Sequence, residues 1–285
     1  MTGIDETRQI RSILRLLDDD SPKVRDRMWE LVSANLPAWA STLRASAGGL
    51  ASGPRRRLLD LLADSDREVI RSSWGEWRTL PGEAEKLEAA LEFLSVYLAR
   101  QAGEPESSLG PILDGLAAEY LALGSAPTPT GLARFLFVAK GLRGANTEYY
   151  DPRNSDLLNV LRTGRGIPIS LACIYILVGR RLGLDIAGCD VPEHFLTRAQ
   201  EGGKTVIIDC YDGGRALGRD RLVLLERKYA PDFNRLIKAR ASAESMVARV
   251  LRNLINAFHL AGRKDASEFM WTLAEELRGE RDAGA

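Results

Sequence analysis

Hydrophobic residues recur along most of this chain at three- and four-residue spacings, a pattern that predicts helices. Val24, Met28, Leu31 and Val32 fall on one helical face. Leu87, Ala90, Leu91, Leu94 and Leu98 form a second stripe, and Ile112, Leu113, Leu116 and Tyr120 a third, with Gly103-Glu104-Pro105 interrupting between them. Ala126-Pro127-Thr128-Pro129-Thr130 is a breaker ahead of Leu132, Phe135, Leu136 and Val138. Towards the end, Met246, Val247, Val250, Leu251, Leu254, Ile255 and Phe258 make a wide stripe. Gly262-Arg263 then turns the chain into Ala266, Phe269, Met270, Leu273 and Leu277.

Two stretches of the first third match at an offset of 45 residues: Leu16/Leu61, Leu17/Leu62, Asp19/Asp64, Val24/Val69 and Trp29/Trp74. That period is the range of two-helix HEAT-like repeats. In the first copy a helix ends in a double leucine, an acidic turn follows, and Ser21-Pro22 supplies an N-cap with proline at the first helical position. The second copy is expected to turn at the same place. Two repeats rarely close a core alone, so these helices are expected to serve as scaffold or docking surface.

The texture changes at Asn146. Tyr149-Tyr150-Asp151-Pro152-Arg153-Asn154-Ser155 is turn-rich, and Leu157, Leu158 and Val160 begin a short helix. Arg165-Gly166-Ile167-Pro168 is a loop with proline placed to start the next helix, roughly 168 to 182, which is apolar nearly all round and therefore buried. Gly183 ends it. Strand-like runs follow at Asp185 to Asp190, Phe195 to Arg198 and Thr205 to Asp209, with Glu201-Gly202-Gly203-Lys204 as a hairpin turn. A short helix over Asp220 to Arg227 closes the core. A buried helix, then an antiparallel sheet with histidine at one strand start and aspartate at the next strand's end, is the order of a papain-like Cys-His-Asp fold.

Gly166-x-Pro168, Leu182-Gly183, Pro192-Glu193-His194-Phe195-Leu196 and Ile208-Asp209-Cys210-Tyr211-Asp212-Gly213-Gly214 resemble the transglutaminase-like core of the bacterial SirB family, in its SirB-one branch. The stretch Tyr150 to Ser155 resembles that family too, so the likeness covers residues 146 to 222. The resemblance implies an α+β, mostly helical fold, a buried helix on a small antiparallel sheet flanked by helical repeat elements. It also implies roles. Catalytic relatives carry cysteine at the helix start, where the dipole lowers the thiol pKa; the family's spacing puts that position on Pro168. His194 matches the base and Asp209 the group that orients it, a remnant triad without its nucleophile. Asn253, Leu254, Ala257, Gly262 and Ala266 resemble one tetratricopeptide unit, and SirB-type proteins often end this way.

Other thiols do not replace the missing one. Cys173 is five residues along the buried helix, about 140° and 7.5 Å from position 168, and reads as a small core hydrophobe. Ser170 is on the wrong face by the same count, and Cys189 reads as strand packing. Alternation sends Cys210 to the face opposite Asp209, although a strand end can twist it towards the groove. Groove candidates are thus Pro168, Glu193, Cys210, Tyr149 and Asn154. His194 and Asp209 can equally hold two strands in register, and His259 reads as structural.

Composition narrows the classes. Lys plus Arg and Asp plus Glu each number 39, for zero net charge, which argues against nucleic acid or an acidic membrane as partner. Two histidines, no Cys-x-x-Cys and no His-Glu-x-x-His leave no zinc ligand set, and no cofactor motif is present. No window nears 18 uninterrupted apolar residues and no export signal is read at Met1 to Glu6, so the cytoplasm is the expected address. The expected organisation is 1–82 HEAT-like helices, 83–145 helical segment, 146–228 transglutaminase-like core, and 229–285 helical hairpin of tetratricopeptide type. The leading expectation is a non-catalytic protein- or peptide-binding module. A cysteine peptidase, amidase or acyl transferase with a displaced nucleophile is the alternative, and a structural adaptor the second.

Overall fold

The computed structural model describes residues 3–102, 107–192 and 194–283; the expected break at 103–105 and the groove candidate Glu193 lie outside them. Helix α1 (Gly3–Arg15) runs into a 3-10 turn at Leu16–Asp18, and Pro22 at the first helical position starts α2 (Pro22–Ala34). Ser21 sits at the N-cap, but its hydroxyl makes no capping bond. The turn is held by Asp19 Oδ1 accepting from Ser21 N at 2.9 Å. Helices α3 (Leu36–Ser46) and α4 (Ser52–Ser73) follow. Ile10, Leu14, Leu17, Trp29, Val32, Leu43, Leu58 and Leu62 form one core with Trp39.

The matching turn expected near residue 65 is not made: Leu61 to Ile70 lie inside α4, a single helix of 22 residues. The physical reason is at two positions. Arg67 stands where the first copy has Pro22, so nothing blocks the helical hydrogen bonds. Asp66, 4% exposed, is ion-paired with Arg44 and lies 3.4 Å from Arg100, so its charge is satisfied within the helix.

By its contacts the chain divides into two compact units, Met1–Ser73 with Ala99–Glu106, and Trp74–Leu98 with Ser107–Ala285. The second unit contains most of α5 (Glu83–Ala102), then α6 (Leu109–Leu121) and α7 (Pro129–Arg134), which widens into a π turn at Phe135–Ala139. A two-residue parallel pair, β1 (Arg143–Gly144) with β2 (Arg165–Gly166), brackets α8 (Leu157–Thr163). Helix α9 (Pro168–Arg181) is the expected buried helix: ten of its residues, from Ile169 to Gly179, are buried. Each apolar side chain of Leu or Ile size buried this way contributes about 1.5–3 kcal/mol relative to exposure. Tyr175 is buried too, and its hydroxyl donates to Pro129 O at 2.8 Å.

The sheet is antiparallel throughout in the order β3 (Ile186–Val191), β4 (His194–Glu201), β5 (Lys204–Asp209), β6 (Arg215–Ala216). β4 is twice the expected length because it is paired on both sides. Gly202 and Gly203 both have positive φ, 56° and 74°, which the two-residue turn between β4 and β5 requires. One sheet face lies on α9, where Ile186 meets Gly179. On the other face Cys189, Val191, Leu196 and Ile207 pack with Leu225 of α10 (Arg219–Tyr229) and Phe233 of α11 (Phe233–Lys238). Helices α12 (Ala243–Leu260) and α13 (Lys264–Ala283) pack together as a hairpin turned at Gly262, φ 71°. Among the described residues no helix is long and apolar enough to cross a membrane.

Candidate functional site

The start of α9 is built around a polar knot. Ile167 is the N-cap, Pro168 the first helical residue, and Ser170 Oγ accepts from Ile167 N at 3.0 Å while lying 2.7 Å from Asn154 O. Ser170 is fully buried, so its hydroxyl holds the chain and faces no solvent. Asn154, 7% exposed, donates its Nδ2 to Glu148 O at 2.7 Å and Tyr149 O at 3.3 Å. It clamps the turn rather than offering an amide to a ligand. Asp151 caps the same turn by accepting from Arg153 N at 2.9 Å. Burial opposes its ionisation, yet the side-chain and backbone hydrogen bonds from Arg153 hold the carboxyl below its usual range.

Three tyrosines cover this knot. The Tyr149 and Tyr150 rings meet edge-on at 5.2 Å, Tyr149 and Tyr211 at 6.3 Å, and Tyr150 is 55% exposed. Tyr211 donates to Ala145 O at 3.1 Å. Its ring lies on Gly144, where an added Cβ would fall 2.6 Å from ring carbon, so only glycine allows that contact. Burial raises the Tyr149 pKa, with Tyr211 adding to it, and burial followed by the Asp209 charge raises that of Tyr211.

His194 is the first residue of β4, opposite Val191, and is half-buried. Asp209 ends β5, opposite Arg215 of β6. The register Thr197↔Ile208 sets Asp209 beside Leu196, so alternation gives His194 and Asp209 the same face, two residues out of step. Diagonal neighbours of that kind stand about 7–8 Å apart. Asp209 is 8% exposed and spends Oδ1 on Tyr211 N and Asp212 N, at 3.0 and 3.1 Å. No hydrogen bond joins it to His194 among the described residues. Asp209 is tied to the α9 start instead through Tyr211 and Tyr149.

The thiols are all free and buried. Cys210 lies in the helix–sheet core, not the groove: it is 0% exposed, with Thr197 Oγ1 at 3.7 Å. Burial drives its pKa far up, and does the same to Cys173, whose thiol also feels Cys210. Cys189 is pushed up to about 11 by burial, against the pull of Arg198. A thiol so raised is no nucleophile at neutral pH.

Sequence reasoning missed the side of the site supplied by α12. Asn253, Asn256 and Ala257 line a cavity of about 20 Å³ with Tyr149, Tyr150 and Ile167, space for about one water. Arg249 pairs with Asp190 at 2.8 Å and its charge reaches Tyr149. The available signal was the polar face of a strongly amphipathic helix, where Arg249, Asn253 and Asn256 recur at three- and four-residue spacing. Among the described residues no three His, Cys, Asp or Glu side chains converge where a metal ion could sit.

Residues 111–252, spanning the buried helix, the sheet and the start of α12, match the family described as the transglutaminase-like superfamily. The chain carries a transglutaminase-like domain. Its relatives include a UPF0162 protein of Xylella fastidiosa, strain Temecula1. The two are 39% identical over 138 residues, which is 46% of this chain and 49% of that one. A UPF0162 protein of Vibrio cholerae is 29% identical over 120 residues, 42% of this chain and 41% of its own length. The F-box only protein 21 of Mus musculus is 34% identical over 70 residues, 25% of this chain and 11% of that protein. The chain spans about half the length of the bacterial relatives it matches. No solved structure matches it. The matched residues thus include Pro168, His194, Asp209, Cys210, Tyr149 and Asn154, while Asn253, Asn256 and Ala257 of α12 lie just beyond them.

Proposed function

We propose that this transglutaminase-like domain is of the SirB type, has lost its nucleophile, and binds a protein or peptide in the groove at the start of α9. One observation carries the reading: Pro168 occupies the helix start, while every thiol is buried with a raised pKa. A helix N-terminus there retains its positive end, and proline leaves it without a reactive atom. The exposed Tyr149–Tyr150 pair offers flat amphipathic rings of the kind that anchor peptide partners. The flanking helices supply scaffold in this reading. Three unpaired thiols suit a reducing compartment, and the cytoplasm is the address we assign.

The test is to pan a random peptide library against the whole chain and weigh what is retained. Expected are peptides of unchanged mass, one per chain, whose affinity falls about tenfold in Tyr150→Ala, equivalent to ~1.4 kcal/mol. Cleaved, deamidated or cross-linked peptides that cease to form in His194→Ala would overturn the reading and establish an enzyme.

A further inference from the structure

The opposite end of α9 carries a second concavity. α9 has 14 residues, so this end is about 20 Å from Pro168. A cleft of about 580 Å³ opens there between the first turn of α5, the last turn of α9 and strand β3. Its floor is apolar, made by Leu87, Ile176, Ile186 and Met246. A second cleft of about 610 Å³ continues it and shares Ala84, Glu85 and Arg180. Volumes of this size are those of ligand sites rather than packing faults.

Three independent features define the occupant. The first is main-chain. β3 is the outer strand of the sheet, and Ala241 N to Gly188 O, at 2.9 Å, is the one main-chain bond made to its outer edge among the described residues. The two-residue period puts the amide and carbonyl of Ile186 on that same edge, bordering the cleft. An edge of this kind accepts an added strand. The second feature is the apolar floor beside that edge, which receives one side chain of each alternate pair. The third is charge. Glu83, Glu85, Glu88, Glu92, Asp114 and Asp185 line the two clefts against only Arg180, Arg181 and Arg240, a local charge of −3 in a chain of zero net charge. Arg181 is already spent, bidentate on Glu88 at 2.7 and 2.8 Å and bonded to Asp114 at 2.6 Å. Arg180 comes no nearer than 3.9 Å to Glu85.

We propose that this trough docks an extended, basic segment of a partner protein. The segment adds to β3 at Ile186, sets an apolar side chain among Leu87, Ile176 and Met246, and aligns Lys or Arg side chains with Glu85 and with Asp114, of which Arg181 takes only Oδ1. The site is separate from the groove at Pro168, and one can fail without the other.

The experiment uses two fluorescein-labelled peptides, one alternating Lys with Val and one alternating Glu with Val, titrated into the full chain by anisotropy. The Lys peptide is expected to bind, with affinity falling roughly tenfold from low to high salt, and the Glu peptide not to bind. Ala84→Trp, which fills the junction of the clefts, is expected to lower the affinity at least tenfold with unchanged melting. Arg180→Glu should raise it severalfold, and carries the test if Ala84→Trp does not fold. Hydrogen exchange should slow at 185–188 when the Lys peptide is added. Equal binding of both peptides, indifference to Arg180→Glu, or protection over Tyr149–Tyr150 instead of β3 would overturn the proposal. So would dimerisation of the free chain that Ala84→Trp abolishes, since the trough would then belong to a second copy.

Discussion

A proline at the first position of a helix gives up an amide hydrogen that would otherwise lack an intrahelical partner, and its fixed φ suits the turn. At Pro168 that local advantage coincides with the spot where the resemblance to transglutaminase-like enzymes puts a cysteine. The coincidence can be tested by restoring the thiol. Pro168→Cys costs little stability, because Ile167, Ser170 and Asn154 still bind one another. The new thiol stands at a helix N-terminus, where thiol pKa values fall. It should react with iodoacetamide at pH 7 at least ~10-fold faster than Cys173, Cys189 or Cys210, read by mass spectrometry of the peptides. Adding His194→Ala should slow it again only if His194, which the register sets opposite Val191, reaches the helix start as the resemblance implies. Labelling of the introduced thiol no faster than that of Cys189 would mean that position 168 was never the nucleophile's place.

Elements differ in how fully the residues announced them. The buried helix was legible because Pro168 and Gly183 mark both ends and no polar stripe interrupts its surface. The β4–β5 hairpin was legible because two glycines sit between alternating runs. The true ends of β4 were not, since they depend on pairing with β3 and β5, which no local pattern contains. The second repeat failed for a sharper reason. Leucine and acidic positions match at an offset of 45 residues, yet Ser21 and Pro22 of the first turn are replaced by Asp66 and Arg67, and nothing there stops the helix. The burial of Asp66 against Arg44 and Arg100 is non-local and left no trace in the spacing. The candidate residues could be singled out in the sequence, but not their geometry. His194 and Asp209 were read as a pair, whereas the register leaves them a step apart and the turn amides of Tyr211 and Asp212 claim the carboxylate. This account of α4 has a direct check: Arg67→Pro. If the helix is continuous, proline there removes a hydrogen bond and clashes with the turn before it, at a cost of about 3 kcal/mol or more. Urea unfolding should shift by that amount with loss of helical circular dichroism. A stability change below ~0.5 kcal/mol, the size of an ordinary surface substitution, would mean that residues 64–66 already form a turn.

At the scale of the whole molecule, the three thiols couple folding to alkaline pH. Each is a group that is neutral when protonated, and burial raises its folded pKa above the ordinary value of 9.0: to about 11 for Cys189, and further for Cys173 and Cys210. The folded chain therefore holds these protons more tightly than the unfolded chain does. The stability they contribute is complete below pH 9 and is lost as the pH rises from there towards the folded values. Between pH 9 and pH 10 the unfolded thiols ionise while the folded ones do not, which costs about 1 kcal/mol per thiol and roughly 3 kcal/mol for all three. The buried Tyr175 adds its share only above pH 10, the ordinary tyrosine value. Chemical denaturation at pH 8, 9 and 10 should show wild type losing most of that amount over the last step. The triple variant Cys173→Ala, Cys189→Ala, Cys210→Ala, less stable at pH 8 for its lost packing, should hold level over the same step. Parallel slopes in the two proteins would mean that the thiols ionise in the folded chain as readily as in the unfolded one, near the ordinary value of 9.0. Burial would then not hold them protonated, and the chemical silence of the thiols, on which the non-catalytic reading rests, would be lost.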